Sequence, residues 1–169
     1  MRSRPAGGSV EPAAQEPPDP GRTMEYTYVL YIGASAERIW DALTDAEQTA
    51  AYWGHRNVSD WREGSRWAHV RTDGSKTEDV VGSVVESRRP RKLVTTWEAP
   101  GEPGRVSRVC FGIEEYEGIA RLTVVHRDLY DDAELRGVAS GWPAVLSNLK
   151  TALETGRPLS TEPWTVPEG

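Results

Sequence analysis

The sequence predicts an α+β fold, in which one antiparallel sheet of seven strands is covered by two short helices and a long C-terminal helix. Seven segments between residues 25 and 129 alternate between apolar and polar residues, and turn residues bound each of them. Near the C-terminus, apolar residues instead recur every three or four positions, as on one face of a helix. The predicted order of elements is therefore β, α, α, six β, α.

The first strand and the two short helices open the patterned part of the chain. The segment "EYTYVLYIGA" alternates as a strand does. Ser35 is a suitable N-cap for a helix in "AERIWDAL". Thr44 and Glu47 form an S/T-x-x-E capping box, which predicts a second short helix in "DAEQTAAYW" that stops at Gly54.

Six more strands are predicted after these helices, separated by short turns such as Asp73-Gly74 and Glu117-Gly118. Their sequences are "NVSDW", "SRWAHVRT", "EDVVGSVVES", "KLVTTWEA", "RVSRVCFGIEEY" and "GIARLTVVHRDL". Short turns between strands favour an antiparallel meander, and the alternation leaves one face of the sheet apolar. That apolar face needs a covering element.

The segment "SGWPAVLSNLKTALETG", from Ser140 to Gly156, is the one predicted helix long enough to cover the sheet. Ser140 is the predicted N-cap, Pro143 falls in the first turn, and Gly156 is a plausible stop. The charged connector "DLYDDAELRGVA" precedes it, with about one helical turn. The apolar face consists of Trp142, Val145, Leu146, Leu149 and Leu153.

The composition indicates one domain between two unpatterned ends. Residues 1–23 are rich in Pro, Gly, Ala and charge, which predicts a disordered N-terminal tail. The domain is expected over residues 24–158, and residues 159–169 are a predicted C-terminal tail. The chain of 169 residues, 37% of them hydrophobic, is long enough to bury a sizeable core.

The charge balance and the cysteine count restrict the location and the partners. A net charge of −6 provides no broad positive field, so we expect no nucleic-acid partner. Cys110 is the single cysteine, and no apolar run has the length of a membrane helix, so we expect a cytoplasmic protein with no membrane insertion. We expect a monomer or a homodimer. The chain has seven tryptophans and six tyrosines but one phenylalanine, which suits a protein whose large aromatic side chains line a cavity.

Several motifs together resemble a known family. The segments "ASAERIWDALTDAEQTAAYWG", "WREGSRW", "GSVVESRRPRKLVTTW", "ARLTVVH" and "SGWPAVLSNLKTALETG" are similar to those of the START-like (SRPBCC) superfamily. The branch that they resemble is homologous to the C-terminal domain of the activator of heat-shock protein 90 ATPase. The resemblance runs from about Tyr26 to Pro158 and implies a helix-grip fold. It also implies a cavity between the sheet and the long helix, which in many relatives holds a hydrophobic small molecule.

Strand alternation selects the residues that face this cavity. Trp67 and His69 share one face of a strand, as do Thr95 and Trp97 on another. Apolar bulk with a few hydrogen-bonding groups is typical of a pocket for a mostly apolar ligand, although plain core packing is the alternative for the aliphatic members. The predicted ligand-binding residues are Trp53, Trp67, His69, Thr95, Trp97, Phe111, Val124, His126, Trp142, Leu146 and Leu149.

A second hypothesis is that some residues at the cavity transfer protons. His69, His126 and Glu86 occupy positions where a partly buried group could accept or donate a proton, against the alternatives of a core histidine or a rim salt bridge. The three histidines have no metal-ligand spacing, so no metal site is predicted, and no cofactor is expected. No hydrolase, kinase or dinucleotide motif is present.

The leading functional prediction is a non-catalytic module that binds a hydrophobic or aromatic small molecule, as a carrier, a sequestering resistance factor or a sensor. The first alternative is an enzyme of the cyclase or aromatase kind, acting on a polyketide-like ligand. The second is an interaction protein resembling a co-chaperone, which would use its surface instead of the cavity.

Overall fold

The computed structural model describes residues 24–167, so the predicted tail of residues 1–23 lies outside the described residues. The described chain contains seven strands, three α-helices and a short 3-10 turn. No helix within this range is both long and apolar enough to cross a membrane. The elements are β1 Met24–Ile32, α1 Ala36–Thr44, α2 Ala46–Trp53, β2 His55–Val58, β3 Arg66–Arg71, β4 Glu78–Arg88, β5 Lys92–Trp97, β6 Ser107–Tyr116, β7 Ile119–Leu129, α3 Asp132–Thr155 and the turn Pro163–Thr165.

The seven strands form one antiparallel sheet in the order β1-β7-β6-β5-β4-β3-β2, which confirms the predicted fold class. Consecutive strands pair as a meander, and β1 closes the other edge by pairing with β7. Along β7 the buried positions alternate as a half-buried strand requires, so that Leu122, Val124 and His126 face the helices. The strand predicted in "NVSDW" begins earlier, at His55, and ends at Val58.

The two short helices lie where they were predicted, with one difference in capping. The Ser35 side chain accepts a hydrogen bond from the Arg38 backbone N–H, as expected of an N-cap. The cap of α2 is Asp45 and not Thr44, because the Asp45 carboxylate accepts from the Gln48 N–H. Gly54 ends α2 with a φ of 75°, a left-handed conformation that glycine adopts without strain.

The helix α3 begins at Asp132, so the predicted start at Ser140 is wrong. Asp131 caps the helix by accepting from the Glu134 N–H, and the Glu134 carboxylate accepts from the Tyr130 N–H. This is a variant of the capping box, in which the acidic side chain accepts from the N–H of the residue before the cap, and it lies in the segment treated as a connector. Pro143 consequently lies in the middle of α3 instead of its first turn.

Buried side chains on α3 occur from Trp142 onward, whereas residues 132–141 contribute none. The later part of the helix packs on the inner face of the sheet, with α1 and α2 beside it. After α3 the chain returns to the domain, where the Leu159 N–H donates to Oδ1 of the buried Asn148. The core therefore lies between the sheet and the three helices, and most of α3 anchors it.

Candidate functional site

The candidate site is a continuous group of seven rings between the sheet and α3, which we call the aromatic cluster. The strands β3, β5, β6 and β7 and the helices α2 and α3 each contribute at least one ring. Neighbouring rings have centroids 4.9 to 6.4 Å apart, mostly edge-to-face or tilted. Its members are Trp53, Trp67, His69, Trp97, Phe111, His126 and Trp142.

All seven members of the aromatic cluster were predicted as ligand-binding residues. The structure brings them together in direct contact, and Trp97 is the partly exposed member, which connects the cluster to the surface. The remaining predicted residues are buried in the same interface, and the structure gives no ring contacts for them: Thr95, Val124, Leu146 and Leu149. A ligand-binding role for these eleven residues stays a prediction.

Trp67 packs against a glycine on the neighbouring strand, which leaves room for its ring. The Trp67 indole N–H donates to the Thr96 carbonyl at 2.8 Å, and the ring crosses directly over Gly82. A Cβ atom at Gly82 would lie 2.1 Å from the Thr96 oxygen and 2.5 Å from Trp67 Nε1. Glycine is therefore the residue that this close approach permits.

His126 is buried and has both ring nitrogens hydrogen-bonded. The Trp142 indole N–H donates to His126 Nδ1 at 3.2 Å, so Nδ1 carries a lone pair. The proton is therefore on Nε2, which donates to the Ser107 hydroxyl at 2.8 Å. Burial lowers the pKa of His126 to about 4. The ring is neutral at physiological pH, and both of its nitrogens are occupied.

His69 is also neutral, but only one of its nitrogens is hydrogen-bonded. Its Nδ1 atom lies 2.5 Å from Asn57 Oδ1, an acceptor, so Nδ1 carries the proton. Burial, and to a smaller extent the charge of His55, lower the pKa of His69 to about 3. His55 stacks on the His69 ring with centroids 4.0 Å apart and binds Asp79 at 2.8 Å.

Glu86 takes no part in this site. A register irregularity between Val84 and Glu86 shifts the alternation of β4. The Glu86 carboxylate instead forms ion pairs with Arg88 at 2.7 Å and Lys92 at 3.1 Å. The rim salt bridge, which was the alternative to a proton-accepting role, is what the structure contains.

Residues that the sequence analysis did not select hold the cluster together. Asn57 and Ser107 bind the two buried histidines, and Gly82 makes room for Trp67. Asn57 lies opposite His69 in the pairing of β2 with β3. The one signal for Asn57 in the sequence was its position two residues after His55, as a polar residue in a short strand.

Two depressions lie away from the aromatic cluster, and neither includes any of its members. A groove of about 530 Å³ lies on the outer face, where Cys110 and Thr123 alternate with the buried Phe111 and Val124. Its cationic lining residues are Arg88, Arg89, Arg91, Lys92 and Arg121. A wider depression of about 920 Å³ lies beside the β6–β7 turn, lined by Arg91, Glu115, Tyr116, Glu117 and Ile119.

The edge of the aromatic cluster lies next to a loop that is tied to the start of α3. Arg105, in the loop between β5 and β6, binds Asp131 at 2.7 Å and lies over the Tyr130 ring at 4.1 Å. The first ten residues of α3, positions 132–141, contain no fully buried side chain, and Val138 is partly buried against the core. This end of the helix is therefore held mainly by its cap and by Arg105.

A seven-stranded antiparallel sheet gripping a long C-terminal helix, with two short helices after the first strand, defines a protein of the helix-grip class. Residues 33–154 match the family described as Activator of Hsp90 ATPase homolog 1-like protein. The match covers most of the chain, and the chain belongs to this family. No curated protein matches its sequence.

Solved structures with the same fold are distant in sequence. CalU16 from Micromonospora echinospora is 23% identical, with 78% of this chain and 77% of that chain covered and a TM-score of 0.64. An HSP90 activator from Plasmodium falciparum is 20% identical, with 80% and 98% covered and a TM-score of 0.65. The Aha1 dimer from Colwellia psychrerythraea is 20% identical, with 79% and 98% covered and a TM-score of 0.67. These similarities establish the shared fold.

Proposed function

We propose that the chain binds an aromatic small molecule at the aromatic cluster, as a carrier, a sequestering protein or a sensor. The observation that carries the proposal is the concentration of seven rings at one end of the sheet–helix interface, with Trp97 reaching the surface. Flat rings provide large apolar contact area with defined stacking geometry, which suits an aromatic ligand.

A ligand would enter by replacing some of the ring–ring contacts. Trp53, Trp97 and Trp142 contact one another with centroids 5.5 to 6.3 Å apart, so space for a ligand requires them to move. The adjoining first ten residues of α3 are the weakly packed part of that helix. Segments with few buried contacts open at the lowest free-energy cost, which makes this end the route of entry.

The chemistry of the histidines favours binding over a reaction. Both nitrogens of His126 are already hydrogen-bonded, so its ring has no free position for a substrate proton. The pKa of His69 lies far below neutral pH, which makes its ring a weak base. These features support a binding protein over a cyclase-like enzyme.

The experiment is a titration with naphthalene, followed by tryptophan fluorescence and calorimetry. The parent protein should give a saturable response. Trp142→Ala should weaken binding by about 10-fold, because it removes a stacking surface from the cluster. Trp164→Ala is the matched control, since it deletes an indole in the turn Pro163–Thr165, outside the cluster, and should leave affinity unchanged. No saturable response would contradict the proposal and would favour an interaction protein that uses its surface.

A further inference from the structure

Three adjacent rings of the aromatic cluster each carry a nitrogen without a hydrogen bond. Among residues 24–167, no group bonds to Nε1 of Trp53, Nε1 of Trp97 or Nε2 of His69. His69 lies 4.9 Å from Trp53 and 5.9 Å from Trp97, centroid to centroid, and the two indoles are 6.3 Å apart. The three unpaired nitrogens therefore belong to three adjoining rings.

These nitrogens have complementary hydrogen-bonding roles. His69 donates through Nδ1 to Asn57, so its Nε2 atom presents a lone pair and acts only as an acceptor. An indole N–H acts only as a donor. The group thus offers one acceptor and two donors within an apolar surrounding.

The three nitrogens belong to rings that are largely buried, since His69 is 5% exposed, Trp53 is 9% exposed and Trp97 is half-buried. In the described part of the chain, Arg105 Nε is the one buried polar side-chain atom that has no partner and no accessible surface. The ring nitrogens of Trp53, Trp97 and His69 lack partners but do not share this condition, so each has some accessible surface. Polar atoms that have no protein partner within largely buried rings favour a ligand that completes their hydrogen bonds.

We propose that the ligand is a hydroxylated aromatic molecule, whose hydroxyl donates to His69 Nε2 and accepts from the indole N–H of Trp53 or Trp97. A hydroxyl is the small group that matches this set, because it is both a donor and an acceptor. The apolar part of the molecule would stack among the remaining rings. This inference rests on the proposed function, since it specifies the chemistry of the ligand at the same cluster.

The test compares three probes of similar shape on the full chain: 2-naphthol, naphthalene and 2-methoxynaphthalene. The methyl ether keeps the oxygen as an acceptor but cannot donate a proton. We expect 2-naphthol to bind about 10-fold more tightly than either of the other two, because only 2-naphthol satisfies the His69 acceptor. This comparison needs no variant, so it decides the inference even if a substitution prevents folding.

A pair of variants locates the effect. His69→Phe keeps a ring at the position but removes Nε2, so 2-naphthol should lose its advantage over 2-methoxynaphthalene, because the oxygen of either probe can then only accept from an indole N–H. His55→Phe is the matched control: this partly exposed ring stacks on the face of His69 without bonding to its nitrogens and should leave the 10-fold preference intact.

The outcomes separate the two proposals. Equal binding of all three probes by the parent would overturn the hydroxyl inference and leave the proposed function standing. Binding of none of them would overturn the proposed function itself. A preference for 2-naphthol over 2-methoxynaphthalene that survives in His69→Phe would overturn the assignment of His69 as the acceptor.

Discussion

At one end of the sheet–helix interface α3 covers aliphatic side chains, whereas at the other end it covers indoles and imidazoles. The aliphatic end includes Ile32, Ile113, Leu122, Leu149 and Leu153, and it lies beside α1. These five side chains have no polar atoms, so burial alone satisfies them, whereas Trp40 of α1 adds a buried indole at this end. At the aromatic end every indole and imidazole also has nitrogen atoms to satisfy, and three of these nitrogens have no partner in the described part of the chain.

This difference separates a core from a site within one continuous interface. A side chain that is fully satisfied by packing is expected to contribute to stability and little else. A group of polar-tipped rings that is incompletely satisfied favours a bound partner. The same helix therefore anchors the fold with its later turns and contributes Trp142 to the candidate site.

The largest expected effect is at the aliphatic end. Leu149 is 0% exposed, and Leu149→Ala should lower the free energy of unfolding by about 3–5 kcal/mol, because it removes buried methyl groups and leaves a cavity. Urea unfolding measures the change. A loss below about 1 kcal/mol would show that this end is not a well-packed core.

Gly82→Ala should disrupt the support of the aromatic end. The added Cβ would collide with the Thr96 carbonyl and displace the Trp67 ring, at a cost of about 2–3 kcal/mol. Gly112→Ala is the matched control, because its Cβ would meet only the Thr123 oxygen, at 3.9 Å, and should change stability by less than about 0.5 kcal/mol. Equal effects of the two substitutions would contradict the described packing of Trp67.

Acid should destabilise the aromatic end before the aliphatic end. Burial lowers the pKa of His126 to about 4 and, with a smaller effect from His55, that of His69 to about 3. An unfolded histidine has a pKa of about 6.5, so between pH 6.5 and 4 the unfolded chain binds protons that the folded chain does not. The free energy of unfolding should therefore fall as the pH falls through this window, by up to about 1.4 kcal/mol per pH unit for each histidine.

Urea unfolding at pH 7, 6 and 5 measures this dependence. His126→Phe removes one of the two groups and should reduce the slope by about half. A flat profile in the parent protein would contradict the assignment of two buried neutral histidines.

The smallest effect is expected on the outer face of α3. Lys150 is exposed, and its ammonium group donates to the Tyr31 carbonyl at 2.7 Å and to the Glu154 carboxylate. Lys150→Ala should change the free energy of unfolding by less than about 0.5 kcal/mol and leave naphthalene affinity unchanged, because exposed ion pairs contribute little. A change comparable to that of Leu149→Ala would show that the two faces of α3 are not distinct.

The sequence predicts most of the fold because its elements have local signals. Ser35 and Gly54 have the cap and stop roles that their residue types favour, and alternation identified all seven strands. The first ten residues of α3 were missed because none of them is fully buried, so the segment shows no clear apolar period. The remaining signal was the capping box of Asp131 and Glu134, which is local and polar.

The candidate site was predictable only in part. Alternation placed Trp67, His69 and Trp97 on the inner face of the sheet. The face on which a side chain lies can be predicted from the pattern of its own strand alone. The hydrogen bonds of Asn57 and Ser107 depend on how neighbouring strands align, which no single segment determines. The close approach of Trp67 to Gly82 likewise depends on the pairing of β3 with β4.

The most direct test of the central claim is the indole N–H region of a 15N NMR spectrum, recorded with and without naphthalene. The chain has seven tryptophans, distributed between the two ends and the surface, and each gives one indole signal. Binding at the aromatic cluster should shift the signals of Trp53, Trp97 and Trp142. The signals of Trp40, in α1, and Trp164, in the C-terminal turn, should stay in place. Shifts confined to Trp40 or Trp164, or no shifts at saturating naphthalene, would contradict the account.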